Sequence, residues 1–174
     1  MIPLQTFFFA MLFLFGLIGA LRGWAKELLV SFSVILARFI EFVFVLYVPV
    51  LNVTLQGLQA ENWFYIRLLI FVVIVSFGYA TTVLSAELGQ RARKEKFQDT
   101  LLGFFLGGIN GYLTVGMIWG FLEQLGYGIW GITPPVPGTA AIQIVDYLPL
   151  QFLEGSTLFI AVAIAFAFVL IVFV

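Results

Sequence analysis

Residues 91–120 read RARKEKFQDTLLGFFLGGINGYLTVGMIWG. Four of the six residues from Arg91 to Lys96 are basic, and the chain turns at Asp99-Thr100. An apolar run follows, carrying Gly103, Gly107, Gly108, Gly111, Gly116 and Gly120. About 20 apolar residues are enough to cross a bilayer as a helix. Basic residues beside such a helix hold their end on the cytoplasmic side. Glycines let a second backbone come close where burial from water no longer drives helices together. The stretch reads as an anchor followed by a packing helix. The patch Arg91, Arg93, Lys94 and Lys96 is expected to touch anionic headgroups, at about 1 kcal/mol per charge, or to dock a cytoplasmic partner.

The rest of the chain agrees with a bilayer setting. Of 174 residues, 63% are hydrophobic and 10% charged, and the mean hydropathy is +1.14. A soluble domain carries about 25% charged residues. A net charge of −1 makes no case for nucleic acid. With no cysteine and no histidine, the chain offers no disulfide, thiolate metal site, cysteine nucleophile or histidine base, and no histidine ligand for haem or chlorophyll.

Five apolar spans are expected, at about 4–21, 28–48, 63–85, 100–122 and 157–174, as one all-α transmembrane domain. The first lacks a basic lead and a cleavage site, so it is expected to be retained rather than removed. The last has no polar flank, and the chain is expected to continue past it. Links 22–27 and 86–99 carry all the basic residues that lie between spans, while loops 49–62 and 123–156 carry none. That alternation places the links in the cytoplasm, the N-terminus outside and the C-terminus inside. Within the last loop, Ile142, Val145 and Leu148 recur at helical spacing, which suggests a helix over 139–148 lying along the interface.

Two segments carry a resemblance. One is the link Gly19-x-x-Arg22-Gly23-x-x-Lys26-Glu27-Leu28, and the other is Asp99-x-x-x-Gly103-x-x-x-Gly107-x-x-x-Gly111. With their spacing and the four-helix layout, they resemble the colicin V production protein (CvpA) family of bacterial inner-membrane proteins over residues 4–122. This chain departs from the family pattern at Gln5 and Thr6, where an acidic residue is usual, and at Asn110, where a basic one is. The resemblance implies a polytopic inner-membrane protein with no established reaction, linked by name to bacteriocin production or export. It brings no catalytic residues.

Helical geometry groups the remaining candidates. At about 100° per residue, Gly103, Gly107, Asn110, Gly111 and Thr114 share one face, while Gly116 and Gly120 point elsewhere and can serve a second contact. On the second span Glu27, Ser31, Arg38 and Glu41 share a face. A charge at the depth of Arg38 costs about 2.5–3.5 kcal/mol or more unless paired or wet. Glu41 lies in reach at i,i+3, and Arg67 on the third span is placed to reach Glu41. The cluster Arg38, Glu41 and Arg67 serves either to fix helix register or to line a substrate path. Gly78, Thr81 and Ser85 share the face of Arg67.

The Phe-rich first and fifth spans are expected to face lipid, with carotenoid, quinone or chlorophyll contacts left open and no cofactor expected. The expected function is a non-enzymatic scaffold or accessory subunit, partnered by membrane lipids and by other integral membrane subunits or a second copy. The competing readings are a small transporter or export component using Arg38, Glu41 and Arg67, and a lone lipid-binding monomer.

Overall fold

The structure, a computed structural model, describes residues 3–47, 59–80 and 96–173. Arg91, Arg93, Lys94, Thr81, Ser85 and most of the two loops expected at 49–62 and 86–99 lie outside the described residues. Among the described residues all regular structure is helical. The elements are α1 (Leu4–Arg22), α2 (Trp24–Tyr47), α3 (Ala60–Ala80), α4 (Lys96–Leu125), α5 (Ala140–Val145), α6 (Pro149–Phe152) and α7 (Gly155–Phe173).

The first four long helices are each long and apolar enough to span a membrane. A fifth crossing is available if the stretch Ala140–Phe152 and the helix after it, bent by 63° from one another, act as one span. The composition that makes these helices insoluble also explains their exposed surfaces. Phe9, Phe13, Leu69, Phe77, Phe105 and Ile164 all project outward, as side chains do where the solvent is hydrocarbon.

Only Gly23 separates α1 from α2, where a six-residue link was expected. Its φ of 86° is a conformation that glycine adopts without a steric penalty. Arg22 thus ends one helix, and Lys26 and Glu27 sit in the first turn of the next. Despite this short link, α1 packs chiefly on α4. The close approach is made by glycine on both sides. A methyl group on Gly107 would stand 2.9 Å from the Gly19 Cα, and one on Gly19 would overlap the Gly103 carbonyl. In turn α2 packs on α3 and α4, with Gly78 of α3 lying directly over Ser33.

The end of α4 is built for termination. Gly126, at φ 82°, gives its N–H to the Glu123 carbonyl at 2.9 Å, and Tyr127 gives its own to Leu122 at 3.1 Å. These are the two bonds of a Schellman cap. Through 139–147, α5 included, the chain stays largely at the surface with Ala141 buried; beyond that its course changes. It turns inward, and Leu148, Pro149 and Leu150 are buried. Pro149 seats on Gly116 and Leu150 on Gly120. The second glycine face of α4 is therefore covered by the chain's own α6. The groove that takes Pro149 and Leu150 is supplied by Gly116 and Gly120, far upstream in the chain.

Candidate functional site

Two polar clusters are buried between the helices. The first lies toward the Gln124 end of α4. Arg38, midway along α2, donates from Nη1 to Glu41 Oε2 at 3.1 Å and from Nε to the Leu153 carbonyl at 3.0 Å. Arg67 of α3 donates from Nε to Glu41 Oε1 at 2.5 Å and from Nη1 to Gln124 Oε1 at 2.7 Å. The Arg67 guanidinium also lies 4.2 Å from the ring centre of Phe121, an attraction that strengthens away from water. One carboxylate thus joins α2 to α3, and the two arginines extend the tie to α4 and to the end of α6. The geometry brings together all three residues of the expected cluster. It adds Gln124 and the Leu153 carbonyl, which no helical wheel of α2 or α3 could reveal.

The second cluster lies toward the Asp99 end. Asn110, fully buried, donates from its amide to Glu27 Oε2 at 2.8 Å and to the Glu27 carbonyl at 2.7 Å. Ser31 donates to Asn110 Oδ1 at 2.6 Å. Arg22 Nη1 stands 3.0 Å from Glu27 Oε1. Neither of those two atoms has an aligned hydrogen bond, so this is a close ion contact. The Arg22 guanidinium lies 4.3 Å from the ring centre of Tyr79. Asp99 accepts the Trp24 N–H at 3.1 Å and lies against Gly23. A carboxylate from α4 thereby caps the start of α2, satisfying an amide that helix geometry leaves unpaired.

The sequence segments 19–27 and 99–111 therefore meet in space. Gly19 touches Gly103 and Gly107, Gly23 touches Asp99, and Glu27 touches Asn110. Gly111 faces Leu12 and Phe15 on α1. Lys26 is exposed, and Lys96 opens α4. Thr114 Oγ1 is buried without a hydrogen-bond partner, so that residue adds no tie to the glycine face. The Glu27–Asn110 pairing was missed because a wheel reports direction about an axis and not which neighbour lies there. The signal was the cost of a buried carboxylate, which obliges some donor to be near.

Chemically, both clusters are sets of charge-assisted hydrogen bonds between main-chain and side-chain groups. No group of three or more metal-ligating side chains occurs among the described residues. The bundle also carries recesses, one of them at the first cluster. One, of about 210 Å³, is lined by Ala60, Trp63, Phe64, Arg67, Phe121, Gln124 and Leu125. The other, of about 720 Å³, runs between the start of α1 and the segment from Trp130 to Val136. Past the end of α4, burial pushes the Tyr127 phenol above its ordinary range. Tyr127 remains a neutral hydroxyl that accepts the Trp119 indole N–H at 3.0 Å. No protein-family model, curated protein or solved structure matches the chain.

Proposed function

We propose that this chain is a non-enzymatic, multi-pass subunit of a bacterial inner membrane that braces a larger membrane assembly. The carrying observation is how its buried charges are used. Glu27, Arg38, Glu41 and Arg67, with the half-buried Arg22, are all engaged within the chain: Arg22–Glu27 ties α1 to α2, Glu41–Arg67 ties α2 to α3, and Arg38 pairs with Glu41 along α2 while reaching the Leu153 carbonyl. Such pairs fix helix register, a role for which buried polar groups are retained despite their desolvation cost. The apolar faces of α1, α3 and α7 stay outward, available to lipid, to other subunits or to a second copy.

The topology that goes with this reading sets the N-terminus outside and the C-terminus in the cytoplasm. It is supported by six basic residues in links 22–27 and 86–99 against none in loops 49–62 and 123–156. A fluorescent protein fused to the C-terminus, which matures only in the cytoplasm, is expected to light up.

Purification in mild detergent is expected to bring down companion membrane subunits or a homo-oligomer. A chain that runs alone as a monomer refutes the reading. The recess beside Arg67 favours a second reading, a small export component. The double variant Arg38→Leu/Glu41→Leu separates the two. If abundance and assembly survive while export stops, the bracing role is wrong.

A further inference from the structure

The Arg38–Glu41–Arg67 cluster is not electrically balanced. Two guanidinium groups share one carboxylate. The other acceptors, the Leu153 carbonyl and the Gln124 amide oxygen, are neutral. Arg38, Glu41 and Arg67 are each less than a tenth exposed. Arginine does not shed its proton in proteins. One unit of positive charge therefore lacks a carboxylate in a largely buried site, and an uncompensated buried charge is costly.

The other acids of the described residues at this end, Glu61, Glu123, Asp146 and Glu154, form no ion pair with either arginine. Among the described residues neither arginine has a second carboxylate partner. Residues 48–58, which join α2 to α3 at this end, contain no Asp or Glu.

The recess of about 210 Å³ reaches this charge. Arg67 is the one charged side chain lining it, and Trp63, Phe64 and Phe121 form apolar walls. Ala60, Gln124 and Leu125 belong to the ends of α3 and α4, so the recess lies where the bundle meets the membrane surface. Gln124 turns its carbonyl toward Arg67, which leaves its amide N–H groups as donors at the rim. The volume is below the ~300–1,000 Å³ of sites for drug-sized ligands and suits a group of headgroup size.

We propose that this recess binds a single small oxyanion, a carboxylate or phosphate, with Arg67 as counter-charge and Gln124 as second donor. The anion is either free in solution or the headgroup of an acidic lipid. This site goes beyond the bracing role, and it stands or falls separately from the co-purification result.

The test uses the full chain in neutral detergent. Inorganic phosphate is titrated while thermal unfolding is followed, and native mass spectrometry compares retention of phosphatidylglycerol with phosphatidylcholine. A saturable rise in Tm with phosphate identifies a free anion; selective retention of phosphatidylglycerol identifies a headgroup. In Gln124→Glu a built-in carboxylate stands beside Arg67. This variant is expected to weaken binding by about tenfold or more and to raise the Tm of the anion-free protein. Ala60→Trp, which fills the mouth and leaves the charges alone, is expected to weaken binding as well. If neither phosphate nor phosphatidylglycerol binds saturably, or if Gln124→Glu binds as tightly as the natural chain, the proposal is overturned.

Discussion

Asn110 is the side chain on which the α2–α4 contact turns, because its amide serves both the Glu27 carboxylate and the Glu27 carbonyl. Asn110→Ala leaves both acceptors short of a donor in a dry site and is expected to cost about 1–3 kcal/mol. Asn110→Asp sets two carboxylates against each other and should cost more; unfolding in mixed detergent micelles reads both. Glu41→Leu has a different fault, since it leaves two guanidinium groups facing one another. Removing one partner of a buried pair costs about 3–5 kcal/mol, so this variant should unfold at lower denaturant than Asn110→Ala. Much of this was legible in the residues themselves. The spacing of Arg38 and Glu41 on one helix, and the depth of Arg67 on the next, follow from counting along the chain. The link from Glu27 to Asn110 does not, because it joins two faces whose mutual orientation only the packed bundle determines.

Among the helices, α4 packs on α1, α2, α3 and α6, and its glycines differ in what they accommodate. A methyl group at Gly107 would press on the Gly19 backbone, whereas at Gly108 the nearest atom is 4.0 Å away. Gly107→Ala should therefore loosen α1 from α4, while Gly108→Ala should be tolerated or slightly stabilising through better helix propensity. Parallel thermal scans of the two variants decide this. Gly116→Ala would meet the Pro149 ring at 2.6 Å and should dislodge α6. Because the chain has no cysteine, a single cysteine at Leu150 reports the change. It is expected to react slowly with a membrane-permeant maleimide in the parent and faster with Gly116→Ala. Long helices were legible from composition because each needs only a sustained apolar run. The inward turn at 148–150 was not: the spacing of Ile142, Val145 and Leu148 announced a short helix, but the burial of Pro149 and Leu150 depends on a groove made elsewhere in the chain.

For the molecule as a whole, two polar ties at opposite ends hold a bundle whose exterior is almost entirely hydrocarbon-compatible. This arrangement was half visible beforehand, as the charged residues stood out against the apolar background while their connections crossed up to 115 positions. The one-residue joint at Gly23 has a consequence in time. With no slack between them, α1 and α2 are made in immediate succession, well before α4. Asn110 follows Glu27 by 83 positions, which at about 5–20 residues per second is a wait of roughly 4–17 s. Over that interval Glu27 has only the nearby Arg22 to answer its charge. A nascent chain stopped before α4 is thus a half-finished object with an acid in oil. Pulse-labelling should show a chain ending at residue 95 being cleared faster than the full one. The fourth helix thus brings what the first two lack, since with it the Asn110 amide reaches the Glu27 carboxylate.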